Sequence, residues 1–302
     1  MFTIVRRILP VLVCALAACQ SHELARPGSA TARTVQLPGV QLKVVEQGAG
    51  EPVVLVHGAF SDHRAWQGQQ ALLARSHRVI VPDQRYFGSQ AWPDDGRQYA
   101  LSTHVADLIA LIEALKLGPV HLVGWSYGGA IVLTTAVQRP DLVKSLFVNE
   151  PSLGTIVTQA ADLATLAEER KGLGSAVAAS KANDQARAVR LFAEWVNATP
   201  GGFDQLSSEL RSVFLDNART LPMHFSSPPP PSVNCAQLGA LRMPATVSKG
   251  EKTRRFFAIL ADTAHACMPA SRLEVIARAT HMAPAENPAD FNASLQRHLA
   301  AR

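Results

Sequence analysis

The sequence predicts an α/β protein, a mostly parallel sheet with helices on both faces, interrupted by an all-helical segment. Three observations carry that expectation. Short apolar runs alternate with helix-spaced stretches between residues 52 and 148. No strand-like run occurs from about 155 to 224, and strand patterning resumes at Met243.

Taken in order, 35–37 and 40–46 read as a hairpin turning at Pro38-Gly39. The continuous apolar run 52–56 suits a strand buried on both faces and ends at His57-Gly58. A helix is expected near 64–75 and a strand over 78–83. Residues 102–116 show helical spacing in Val105, Leu108, Ile109, Ile112 and Leu115, with Ser102 as the expected cap. A strand to Gly124, a helix from Tyr127 to about Gln138 and a strand over 143–148 follow. After Pro151 come helical stretches rich in Ala, Leu and Arg, closed by Pro228-Pro229-Pro230-Pro231. A strand over 243–250, helix over 252–267, strand near 272–277 and helix over 289–300 complete the chain.

The run Gly124-Trp125-Ser126-Tyr127-Gly128-Gly129 sits between an expected strand and an expected helix. That context fits a serine raised on a strained turn, whose neighbours two residues away on either side must be small. The free N–H groups at the start of the following helix would face the hydroxyl. Serine alone is a poor nucleophile near neutral pH. It needs a base to take its proton and an acid to orient the base.

Four segments in this order, His57-Gly58, Asp83-Gln84-Arg85, the Gly124 elbow and Thr280-His281-Met282-Ala283-Pro284, resemble the α/β-hydrolase family over about residues 35–302. The resemblance implies an eight-stranded, mostly parallel sheet with a helical cap inserted after the sixth strand. Core segments 34–152 and 241–302 would then flank a cap at 153–240. It implies Ser126 as nucleophile, and His281 as base in the loop past the last strand. Backbone N–H groups of Tyr127 and Ala59 would form the oxyanion hole. His57 resembles the family's structural histidine. His104, on a helix surface, and His121, on a strand, read as structural, and His63, His77, His224, His265 and His298 have no motif around them.

The acid departs from the common family pattern Gly-x-x-Asp, because the chain reads Gly250-Glu251-Lys252-Thr253. Some members, haloalkane dehalogenases among them, take the acid from the end of the preceding strand. Here that strand ends Val148-Asn149-Glu150-Pro151, which points to Glu150, with Glu251 next and Asp262 third. Tyr86 and Phe87 stand where relatives commonly carry Gly and another residue, and either line the pocket or pack. Trp125 is open in the same way. Phe192, Trp195, Phe203 and Phe214 at helical spacing read as cap core.

Together these readings imply a Ser/His/Glu hydrolase acting on an ester, thioester or lactone of a small to medium molecule, without a cofactor. The serine argues against epoxide hydrolase and haloalkane dehalogenase chemistry, which use aspartate at that position. Cofactor-free haloperoxidase, C–C hydrolase and non-catalytic binding-protein readings stay open. Cys and His show no metal-ligand spacing. The net charge of +5, part of it from Arg6 and Arg7, is too small and scattered for a nucleic-acid surface. Apolar residues at 47% are ample for a large core.

The N-terminus reads as an export signal. Arg6-Arg7 precede an apolar stretch over 8–18 that ends Leu16-Ala17-Ala18-Cys19, which resembles a bacterial lipobox. The expectation is a signal peptide over 1–18, a lipidated Cys19, a flexible tether over 19–33 and membrane attachment through the lipid. Gln20, rather than Asp, points by the same resemblance to the periplasmic side of the outer membrane. An ordinary cleaved signal or an uncleaved anchor are the alternatives. Export makes a disulfide between Cys235 and Cys267 one reading, two buried thiols being the other.

Overall fold

In the computed structural model, which describes residues 28–301, the strands are β1 (Thr31–Leu37), β2 (Val40–Gln47), β3 (Glu51–Val56), β4 (His77–Pro82), β5 (Val120–Trp125), β6 (Val143–Asn149), β7 (Ala245–Gly250) and β8 (Arg272–Ile276). They form one sheet in the order β1-β2-β4-β3-β5-β6-β7-β8. β1 pairs antiparallel with β2 and β2 antiparallel with β4, and every other pairing is parallel. β5 is buried along its whole length, which is why it reads as a largely apolar run, broken only by His121, rather than an alternation.

Helices α1 (Gln67–Leu73), α2 (Leu101–Ala114) and α3 (Tyr127–Gln138) connect the first strands. A cap follows β6, made of α4 (Ala160–Lys171), α5 (Gly174–Lys181), α6 (Gln185–Asn197), α7 (Gly202–Gln205), α8 (Ser208–Asp216) and α9 (Thr220–Phe225). The chain returns through α10 (Cys235–Gly239), α11 (Arg255–Cys267), α12 (Ala283–Glu286) and α13 (Pro288–Ala300).

Successive strand residues point to opposite faces, and two apolar cores result. Val54, Val56, Leu122 and Leu146 pack with residues of α2, α3 and α11. Val53, Leu55, Val123 and Phe147 pack with Trp66 and with Phe291 and Leu295 of α13. The parallel register sets Val56 opposite Gly124, Trp125 opposite Asn149, and Asn149 opposite Ser248. The loops leaving β3, β5, β6 and β7 therefore emerge side by side. In open parallel sheets, this carboxyl edge is where ligands bind.

Several local expectations are corrected. Thr31, Ala32 and Arg33, expected in the tether, are already in β1 and pair with Glu46, Val45 and Val44. The cap residue of α2 is Ala100, which makes no side-chain cap hydrogen bond, and Ser102 lies inside the helix. A 3-10 turn over His63–Trp66 precedes α1, capped by the Asp62 side chain. α10 lies inside the segment expected as cap, yet it is tied to the core, because Cys235 and Cys267 form a disulfide joining it to the end of α11. Residues 1–18, Cys19 and the first part of the tether lie outside the described residues. Among the described residues, no helix is long and apolar enough to cross a membrane.

Candidate active site

Ser126 occupies the turn between β5 and α3 with φ 56° and ψ −116°, a conformation that L-residues rarely adopt. The turn closes only because its flanking positions lack side chains. A methyl group added at Gly128 would lie 2.2 Å from the Val56 carbonyl oxygen, and one at Gly124 would lie 2.5 Å from the Gly128 carbonyl oxygen. The Ser126 N–H donates to the Asn149 carbonyl at 2.9 Å, and the Ser152 N–H donates to the Ser126 carbonyl at 2.9 Å. Both bonds fasten the elbow to the end of β6. The Ser126 hydroxyl is hydrogen-bonded to the Ser152 hydroxyl at 3.2 Å.

Across from it, His281 Nδ1 and Glu150 Oε2 are 2.5 Å apart, with both side chains buried. Glu150 accepts two further bonds. The Gly250 N–H donates to Oε1 at 2.7 Å, and the Thr253 hydroxyl donates to Oε2 at 2.8 Å. Thr253 holds the position of the common aspartate, and its hydroxyl serves the carboxylate that reaches across from the neighbouring strand. Of the other acids considered, Glu251 is exposed and accepts from the Arg278 N–H, and Asp262 pairs with Lys249 at 2.5 Å. Neither is hydrogen-bonded or ion-paired to His281. The imidazole stacks on Phe257, with centroids 3.7 Å apart, and the Trp125 indole N–H donates to the His281 carbonyl at 2.9 Å. Ring orientation and loop position are thus both held.

The loop after β3 lies against the elbow, since a methyl group added at Gly58 would meet the Ser126 Cβ at 3.4 Å. Fully buried His57 pins this loop to the end of β4. Its Nε2 accepts from the Gln84 N–H at 3.1 Å, and the Gln84 side chain donates back to the His57 carbonyl at 2.6 Å. Nδ1 then donates to the Gly58 carbonyl at 2.8 Å, and burial lowers the pKa, so the ring is neutral. Ala59 and Tyr127, the residues expected to supply the oxyanion donors, both line space next to Ser126.

That space has two lobes meeting at Ser126 and Ala59. The smaller, about 30 Å³, is walled by Trp125, Phe192, Phe214 and Met282. The larger, about 470 Å³, runs under the cap past Trp195, His224, Phe256 and Phe257. Three of the four aromatics expected as cap core therefore line the site, and Phe203 alone does not. Tyr86 and Phe87 are fully buried packing residues.

His104 corrects the surface expectation. It is buried, accepts at Nδ1 from the Tyr127 hydroxyl at 2.8 Å and donates from Nε2 to the Arg85 carbonyl at 3.2 Å. Burial lowers its pKa to about 3, so it braces Tyr127, the residue after Ser126, as a neutral ring. His121 is buried in the sheet with Ser145, as expected of a structural residue. His63 bonds Asp83 at 2.7 Å. With Asp62 these form a cluster of metal-binding type among the described residues, and Arg64 and Asn217 already engage the Asp62 carboxylate. Sequence reasoning missed Ser152, Phe257, His224 and Arg170 at the site. The first alone had a signal, standing two residues after Glu150.

A family profile described as the alpha/beta hydrolase fold matches residues 51–288. A 2-hydroxy-6-oxo-2,4-heptadienoate hydrolase of Pseudomonas putida is 39% identical over 117 residues, 38% of this chain and 42% of that protein. An epoxide hydrolase of Caballeronia sordidicola is 36% identical over 110 residues, 36% of this chain and 33% of that protein. The chain thus matches less than half the length of these relatives. An esterase from Exiguobacterium antarcticum superposes with a TM-score of 0.71 at 20% identity, covering 90% of this chain and 100% of the other, a likeness of fold.

Proposed function

The chain belongs to the alpha/beta hydrolase family, and from that premise we propose that it is a serine hydrolase cleaving an ester, thioester or lactone through an acyl-enzyme. In this reading Ser126 attacks the carbonyl carbon and His281 takes the hydroxyl proton at Nε2. Glu150 holds Nδ1–H and stabilises the imidazolium that forms. The oxyanion is received by the backbone N–H groups of Tyr127 and Ala59. Protonated His281 then returns the proton to the leaving group, and water repeats the sequence to release the acid. Apart from the hydrolytic water, the reading uses protein groups alone.

One observation carries it: a buried carboxylate 2.5 Å from His281 Nδ1, beside a serine at φ 56° on a strand-to-helix turn. A buried Glu–His pair serving structure alone would not need a strained serine opposite it. The Ser126–Ser152 bond would have to yield to His281 when substrate enters, as expected of a free site whose catalytic contacts tighten on binding. Fluorophosphonate labelling of the full chain, beside Ser126→Ala, tests the proposal. Labelling absent from well-folded wild-type protein would sink it and leave a binding protein. The relative named as a heptadienoate hydrolase favours C–C bond hydrolysis as the second reading on the same three residues. An ester panel run beside a vinylogous diketo acid separates the two.

We also propose that the chain is exported and lipid-anchored through Cys19 on the periplasmic side of the outer membrane. The Cys235–Cys267 disulfide supports an oxidising destination. Loss of metabolic lipid labelling in Cys19→Ala is the expected result, and undiminished labelling would end the idea.

A further inference from the structure

The smaller lobe, about 30 Å³, is the size of one or two water molecules. Ser126 and Ala59 border both lobes, but His281 borders the smaller one and Ser152 the larger. With Nδ1 bonded to Glu150, the nitrogen that His281 can offer a ligand is Nε2. The base therefore stands on the side of the small lobe, and the body of a substrate fits the 470 Å³ on the other side.

Besides Ser126 and His281, the wall of the small lobe carries one polar side chain that is not already engaged. Trp125 gives its indole N–H to the His281 carbonyl, and Phe192, Val196, Phe214 and Met282 are apolar. The exception is Ser61, which is 2% exposed and whose hydroxyl oxygen has no hydrogen-bond partner among the described residues. A buried polar atom left without a partner is disfavoured, and in native proteins it marks a water, a ligand or a catalytic contact to be accounted for.

The residues on either side hold Ser61 in place. Phe60 has φ 56°, a left-handed conformation that is strained for a bulky side chain, and its buried ring meets Phe192 edge-on with centroids 4.4 Å apart. Asp62 caps the following 3-10 turn and is bonded by Arg64 and Asn217. Ser61 is thus fixed between a strained residue and an anchored one, two positions after Ala59.

We propose that the smaller lobe holds the hydrolytic water of deacylation, with the Ser61 hydroxyl as the group that positions it. The inference rests on the serine hydrolase reading and deepens it by giving the water a place. Ser61 Oγ and His281 Nε2 supply the two polar partners that an ordered water needs. Nε2 takes one proton from the water as its oxygen bonds to the acyl carbon. The bond from that carbon to Ser126 Oγ then breaks, Oγ receives the proton from Nε2, and the carboxylic acid departs. In acylation the leaving-group oxygen comes within the same reach of His281, but the substrate itself holds it there. Water has no such tether, so the loss of Ser61 falls on deacylation.

The full-length protein is tested with p-nitrophenyl acetate. The fraction acetylated in the steady state, read by intact mass after acid quench, is combined with kcat to separate the acylation and deacylation rates. Ser61→Ala is expected to slow deacylation roughly 3- to 10-fold, the weight of one hydrogen bond, and acylation less than about twofold. Acetyl-enzyme should therefore accumulate. Ser61→Thr and Ser61→Val are matched in size and differ in the hydroxyl, so the first should deacylate faster than the second by a similar factor. Equal slowing of both steps, unchanged deacylation in Ser61→Ala, or equal deacylation in the Thr and Val variants would overturn the inference and leave Ser61 a packing residue. Folded wild type that forms neither an acetyl-enzyme nor a fluorophosphonate adduct would remove the hydrolase reading and this inference with it, a result distinct from a working enzyme indifferent to Ser61.

Discussion

Replacing Glu150 by glutamine probes the site most sharply, because the hydrogen bonds around the carboxylate leave the amide one arrangement. Oε1 accepts from the Gly250 backbone N–H at 2.7 Å, and a backbone donor cannot reverse. The amide oxygen must therefore take that place. Its NH2 then faces His281 Nδ1, 2.5 Å from the present oxygen, and the Thr253 hydroxyl. Thr253 can rotate to accept. His281 can accept at Nδ1 only by carrying its proton on Nε2, which in the proposed mechanism is the atom that takes the proton from Ser126. Glu150→Gln thus keeps the packing and imposes the wrong tautomer. A wrong-tautomer base costs about 10⁴-fold in kcat, or ~5 kcal/mol in the barrier. The assay is kcat/KM on a p-nitrophenyl ester with the rate of fluorophosphonate labelling, folding being checked by circular dichroism. Activity within tenfold of wild type in a folded Glu150→Gln, together with a dead Glu251→Gln, would refute the reasoning.

Reducing the Cys235–Cys267 disulfide removes a cross-link between residues 32 apart and should lower stability by about 3–4 kcal/mol, read as a fall in the urea midpoint with dithiothreitol; an unmoved midpoint would deny the link a stabilising role. His298, buried between Ser145 and Thr246, has its pKa lowered by burial from 6.5 to about 4. The unfolded chain therefore binds its proton first. The stability contributed by the neutral ring is whole above about pH 6.5 and is lost as pH falls through about 4, with a slope of at most ~1.4 kcal/mol per pH unit. His298→Gln should flatten the denaturation free energy against pH over that window, and an unchanged slope would show that the ring does not titrate as burial requires.

The elbow was legible because its constraints are local: two glycines, a strand before and a helix after. His281 and Glu150 were legible through resemblance alone, since nothing in their own surroundings says that β6 and β7 are neighbours. Once the strands pair in register, the residue past Asn149 must reach Gly250 and Thr253. His104 was misjudged although the information was present. It lies four residues before Leu108 and seven before Leu111, on the buried face of α2, where a neutral imidazole can be satisfied by Tyr127 and Arg85. Phe257, His224 and Arg170 were not legible. The placement of His224 and Arg170 depends on how the cap closes over the sheet edge, and that of Phe257 on how α11 packs after β7. Helical spacing identifies an inward face without identifying what that face meets.

Thr253 and Glu150 make a complementary pair, and exchanging them tests whether one histidine can be served from either strand. The Thr253 hydroxyl is 2.8 Å from Glu150 Oε2, which is 2.5 Å from His281 Nδ1. An aspartate at 253 therefore brings a carboxylate into the space Glu150 occupies. Added alone, Thr253→Asp places two carboxylates in one buried site; one must take up a proton, and activity should fall. With Glu150→Ala beside it, the new carboxylate has room and a single partner. The double variant should exceed Glu150→Ala in kcat/KM by about tenfold or more, well short of wild type because the Gly250 N–H loses its acceptor. A double variant no better than Glu150→Ala would mean that the β7 loop cannot orient His281, and that this scaffold has become dependent on the acid past β6.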